Sequence, residues 1–187
     1  DTTGSYNIAL GTASMDALTT GKCNVAIGTG ALGASTTGCQ NIAIGDLAIG
    51  TGVTTSVDSI AIGQMALQDL TTGYNNTAIG KCALGNTTTG CLNIALGNSA
   101  LAGAVVTGIN NIAIGTSTMD ALTSGICNVA IGPSALGAAT TGCLNIAIGN
   151  EVLNKATIGK KNIAIGYFAM CGVTTAQADD NIAIGRS

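Results

Sequence analysis

Apolar and small polar residues alternate in a five-residue unit, Asn-Ile-Ala-Ile-Gly, that returns along the whole chain. Intact copies occupy residues 41–45, 111–115, 145–149, 162–166 and 181–185, and near-copies begin at Asn7, Asn24, Ser59, Asn76, Asn93 and Asn128. The eleven starts are 17, 17, 18, 17, 17, 18, 17, 17, 17 and 19 residues apart. Alternation with period two predicts a short strand in each copy. A period this short and regular predicts a solenoid. The expected fold is all-β: a β-solenoid (parallel β-roll or β-helix) of about eleven 17-residue turns, in one uncapped array over residues 1–187.

Within a turn, some columns barely vary. The residue two after the repeat start is Ala in every copy, as at Ala43, and the residue four after is always Gly, as at Gly45. The residue three after is Ile or Leu, as at Ile44. Eight after comes Met15, Leu32, Ile49, Leu67, Leu84, Leu101, Met119, Leu136, Leu153 or Met170. The two Ile share one strand face, opposite Asn, Ala and Gly. The expectation is that these Ile face inward. The Leu/Met column then forms a facing second strand, with turns stacked ~4.8 Å apart. Full burial of each such side chain is worth about 1.5–3 kcal/mol.

The constant Ala and Asn columns need a cause. An exposed strand Ala tolerates larger residues, so something must press on this one. That is either a neighbouring chain on an oligomer axis or a tightly packed second wall of the same coil. Asn7, Asn24, Asn41, Asn76, Asn93, Asn111, Asn128, Asn145, Asn162 and Asn181 are expected to form a stacked amide ladder between turns, or else exposed corners.

Thr-Thr-Gly ends most turns, at residues 19–21, 36–38, 71–73, 88–90 and 140–142. Its Gly is expected to supply a corner with positive φ. Residues 53–58 and 173–180 are irregular and are expected to leave the stack as loops. Residues 7–45 and 111–149 match closely at a separation of 104 residues, six turns. Block duplication built the chain.

Composition then narrows the chemistry. Charged residues are 8%, aromatics 2%, and there is neither Trp nor His. Without His the commonest acid–base and metal groups are missing. The acids are scattered, apart from Asp179-Asp180 in the second irregular segment. No catalytic, cofactor-binding or metal-ligating set can be assembled. Residues 28–33 spell GxGxxG, but inside a repeat with no helix expected after it, which excludes a dinucleotide fingerprint. A net charge of −3 argues against nucleic acid, and no apolar run of about 18 residues predicts a membrane span. No basic-plus-apolar leader opens the chain. Seven cysteines, Cys23, Cys39, Cys82, Cys91, Cys127, Cys143 and Cys171, form no CxxC. They are either small half-buried side chains stacked between turns or partners in interturn or interchain disulfides. Sequons stand at Asn75 and Asn86.

The NxAIG unit resembles the head repeats of trimeric autotransporter adhesins, though those have a shorter turn and little Cys. The longer unit, with its A-L and T-T-G, looks like the repeat arrays of phage and large-virus tail-fibre or surface-fibre proteins. The resemblance implies a homotrimer or an end-to-end filament, placed outside the cell, on a cell surface or on a virion. A structural fibre segment is the expected role. Attachment to a host surface or glycan is the first alternative, with ice binding by Thr ranks the second.

Overall fold

The computed structural model describes residues 3–103, 105–172 and 179–186. It is a β-solenoid. Each repeat forms one three-residue strand: β1 (Ile8–Leu10), β2 (Val25–Ile27), β3 (Ile42–Ile44), β4 (Ile60–Ile62), β5 (Thr77–Ile79), β6 (Ile94–Leu96), β7 (Ile112–Ile114), β8 (Val129–Ile131), β9 (Ile146–Ile148), β10 (Ile163–Ile165) and β11 (Ile182–Ile184). They lie in one sheet in chain order, all neighbours parallel. The register puts Ala on Ala at every step, for example Ala95 on Ala113 and Ala113 on Ala130. With ten inter-strand steps, the stack is roughly 50 Å long.

The alternation is as read, but the faces are reversed. From Ala26 to Ala164 the strand Ala column is sealed from solvent. The flanking Ile are partly or well exposed, as Ile62 and Ile79 show. The core joins strand Ala to a second column of Ala31, Ala48, Ala66, Ala83, Ala100 and Ala135 and to the expected Leu/Met column. It is therefore an Ala/Leu core, not an Ile/Leu core. The reason lies at the Asn, which shares the Ala face and must be inside to bond between turns. Once Asn points inward, period-two geometry sends both Ile outward. The Ala column accordingly faces the coil's own second wall, not an oligomer axis.

That second wall is not a strand. Around the Leu column the chain bends sharply, and the inward residue itself has positive φ: Leu32 50°, Ile49 48°, Leu67 50°, Leu84 51°, Leu101 54°. For an L residue this left-handed region costs about 1 kcal/mol or more, and for β-branched Ile49 it is rarer still. Burial of the side chain and inter-turn bonds offset it. Leu67 N–H donates to the Ala83 carbonyl at 3.0 Å, and Met119 N–H to that of Ala135 at 3.0 Å.

Glycine roles are exchanged as well. The Thr-Thr-Gly glycines have no positive φ. Their constancy is steric: a Cβ on Gly21 would run into the Gly38 carbonyl and the Leu18 side chain. Positive φ belongs to the strand-ending Gly, 135° at Gly45, where a Cβ would also lie 2.5 Å from the Gly63 carbonyl oxygen.

Residues 53–58 do not leave the stack. Thr55 N–H bonds to the Thr71 carbonyl at 2.9 Å, Cys39 N–H to that of Ser56 at 3.2 Å, and Asp58 N–H to that of Cys39 at 3.2 Å. Thr54 and Ser56 are buried, while Val53, Thr55, Val57 and Asp58 face water. Most of the second irregular segment, residues 173–178, lies outside the described residues.

Candidate functional site

The interior ladder is the expected amide stack, and the exposed-corner alternative falls away. From Asn24 to Asn162 every repeat Asn is buried. Asn111 shows the unit. Its Oδ1 accepts from Asn128 N–H at 3.0 Å and from Asn128 Nδ2 at 3.0 Å. Its Nδ2 donates to Asn93 Oδ1 at 3.1 Å and to the Gly125 carbonyl at 2.9 Å. Each side chain thus satisfies one backbone donor and one backbone acceptor of the next turn. The same pattern runs through Asn7, Asn24, Asn41 and Asn145, and Asn162 Oδ1 accepts in turn from Asn181 N–H and Nδ2.

The ladder has one defect. Ser59 replaces Asn, and Asn76 N–H reaches Ser59 Oγ at a long 3.4 Å. Among the described residues no hydrogen bond reaches the Gly73 carbonyl, the counterpart of Gly90, which Asn76 Nδ2 holds at 2.7 Å. Ser59→Asn is expected to complete the series and stabilise the chain by about 1 kcal/mol. Urea denaturation reads this as a higher midpoint at unchanged slope. An unchanged or lower midpoint would mean that the gap carries no penalty.

Outside, the sheet presents two columns of aliphatic side chains along the rod. Every position is Ile, Leu or Val except Thr77. No charged residue enters these columns. One long edge is the corner just before each Asn, which is partly apolar. Tyr74, Leu92, Ile109, Ile126 and Leu144 are exposed there. The other edge is the position after the strand Gly, with Thr29, Asp46, Gln64, Lys81, Asn98 and Thr116.

All seven cysteines are free thiols. Cys39, Cys91 and Cys143 recur every 52 residues, three turns apart on the corner beside the Ile face. Their thiols donate to the carbonyls of Thr37, Thr89 and Thr141 at 3.4, 3.2 and 3.2 Å. Cys91 is buried and Cys23 exposed; Cys39, Cys82, Cys127, Cys143 and Cys171 are half-buried. This three-turn recurrence was present in the spacing, but the alternation of 17- and 18-residue turns masks it.

In three of the five Thr-Thr-Gly units, and in Thr123-Ser124-Gly125, the first Thr spends its hydroxyl inside the stack. Thr19, Thr71, Thr123 and Thr140 Oγ1 donate to the Thr carbonyl one turn on at 2.9–3.1 Å. Asp179 and Asp180 are exposed and paired: Asp179 Oδ1 accepts from Lys160 N–H at 2.8 Å, and Asp180 lies 4.0 Å from Lys161 Nζ. Among the described residues no cluster of three or more acids and cysteines could hold a metal ion. Among the described residues, no helix is long and apolar enough to cross a membrane.

Ladder, core and outer face together define a β-solenoid repeat protein. Comparison with protein-family models, with curated proteins and with solved structures finds no match.

Proposed function

We propose that this chain is a segment of a structural fibre in which rods associate with copies of themselves along the Ile face. The observation that carries this is the outward apolar surface, aliphatic at every strand position but Thr77. It measures roughly 50 Å by 10 Å, about 500 Å² in outline. Monomeric proteins rarely leave so long an apolar patch in water. A second copy is the fitting occupant. Its side-chain ridges have the same ~4.8 Å period, so two rods interlock along their whole length. No charge in either column opposes the contact. The resemblance to adhesin heads and viral fibres favours a trimer and a place on a cell or virion surface.

Inter-turn bonding of the first Thr supports the fibre over ice binding, since at Thr19, Thr71 and Thr140 the hydroxyl is donated to backbone and no two-Thr rank is left free. Few aromatics support it over glycan attachment, because stacking platforms for sugar rings are scarce.

Light scattering at tens of micromolar is the test. The wild type should form a discrete oligomer or a length-distributed filament. Ile44→Lys with Ile114→Lys should yield monomers with an unchanged circular dichroism spectrum. A monodisperse wild-type monomer would sink the proposal. A discrete trimer would support the adhesin-like arrangement, and long species would support end-to-end growth.

A further inference from the structure

We infer that the chain carries two dithiol sites, Cys23 with Cys39 and Cys127 with Cys143, each of which binds one soft monovalent cation of the copper(I) class. This stands apart from the fibre reading. The cysteines of each pair are 16 residues apart, one short of a 17-residue turn. Backbone bonds fix the register. Gln40 N–H donates to the Lys22 carbonyl at 2.9 Å, and Leu144 N–H to the Ile126 carbonyl at 3.0 Å. Cys39 therefore stacks on Lys22, and Cys143 on Ile126. Each is the diagonal neighbour of a cysteine in the preceding turn. A Cα step of about 3.8 Å across and ~4.8 Å of stacking leave the paired Cα atoms about 6 Å apart.

Both pairs lie on the outer corner of the coil and have the same local structure. Cys23 and Cys127 turn the corner with φ 59° and 57°. Cys23 is exposed and the other three are half-buried, so every thiol can be reached. Cys39 and Cys143 hold their S–H only by weak bonds to the carbonyls of Thr37 and Thr141, two residues back. The second pair repeats the first after 104 residues, six turns along the rod. Cys91 supplies the contrast. It belongs to the column of Cys39 and Cys143 and stacks on Tyr74 in the same register, with Leu92 N–H on the Tyr74 carbonyl at 3.0 Å. Its diagonal neighbour is Asn75, which stands where the second thiol would be.

Two sulfurs without further donors suit a cation that accepts two ligands in line. Thiolates select soft ions, copper(I) among them. Metal–thiolate bonds of about 2.3 Å place the two sulfurs ~4.6 Å apart, which side chains on Cα atoms about 6 Å apart can span. Hard cations require several oxygen ligands. No carboxylate is common to the two corners: Asp58 lies one turn beyond the first, and its counterpart beyond the second is Lys161. Binding exchanges protons for metal and involves no oxidation. One cation and two thiols give a bis-thiolate complex with a single negative charge, and two protons leave. An ammonium near each site offsets that charge. Lys22 lies one turn before Cys39 in its column, and Lys160 one turn after Cys143.

Titration of the purified, reduced chain with copper(I) in the absence of oxygen, against the chromophoric chelator bicinchoninate, tests this. The wild type should withdraw two copper ions per chain and release two protons for each. Cys23→Ser and Cys127→Ser should each lose one of the two ions, and the double variant both. Cys91→Ser should keep both. Asn75→Cys should gain a third, because it gives Cys91 the diagonal thiol that the other two sites have. X-ray absorption should find two sulfurs on each copper. Wild type that surrenders all its copper to the chelator overturns the inference. So does uptake that survives the double variant, falls in Cys91→Ser or fails to rise in Asn75→Cys.

Discussion

Asn111→Ala should be among the most damaging single substitutions in the array, lowering stability by about 2–6 kcal/mol. The figure follows from the groups left behind. Without the side chain, Asn128 N–H loses its acceptor and the Gly125 carbonyl its amide donor. Asn93 Oδ1 also loses one of its two donors. These groups lie in the sealed interior, where water does not replace the missing partner. Each unsatisfied backbone group costs about 1–3 kcal/mol. A loss on that scale is comparable to the whole stability of many domains. Denaturant midpoints of Asn111→Ala and wild type measure it. Asn7→Ala is the internal comparison: Asn7 is only half-buried, so the same change should cost markedly less there. Equal costs at the two positions would mean that buried amide bonding is not what holds the turns together.

A second large effect reverses what hydrophobicity alone suggests. Ile112→Thr should change the stability of an isolated rod by less than about 1 kcal/mol, whereas Ala113→Leu next to it should cost on the order of 3 kcal/mol or more. Ile112 faces outward and Thr already occupies its column at Thr77. Ala113 is fully buried between Ala95 and Ala130, against the Leu column. Three added carbons there have no space short of parting neighbouring turns. Thermal melts of the two variants under conditions that keep the rods apart give the comparison. A costly Ile112→Thr together with a tolerated Ala113→Leu would place Ile in the core after all.

Much of the fold is legible in the chain. Near-constant spacing of 17–19 residues set the turn, and alternation located a strand at each of the eleven copies. Constancy of Ala43 and its equivalents announced tight packing. The Asn column announced a ladder, and the Leu67, Leu84 and Leu101 column was rightly read as core. Which strand face is inside was not legible, because alternation defines two faces without saying which is buried. The usual rule, larger apolar residues inward, fails here for a reason of volume and bonding. A coil this small has room beside its Leu column only for Ala, and the Asn that bonds successive turns must share that side.

Glycine roles could not be separated either. A constant Gly records only that a side chain is unwelcome, whether through φ, as at Gly45, or through contact, as at Gly21. The left-handed backbone at Leu32 and Ile49 leaves no mark in composition, since neither residue favours it; only closure of the coil imposes it. The sequence by itself determined the period, the strands and the residues that repeat. The tertiary structure decided which of them meet one another and which meet water, because that depends on the width of the closed coil, and no local pattern records it.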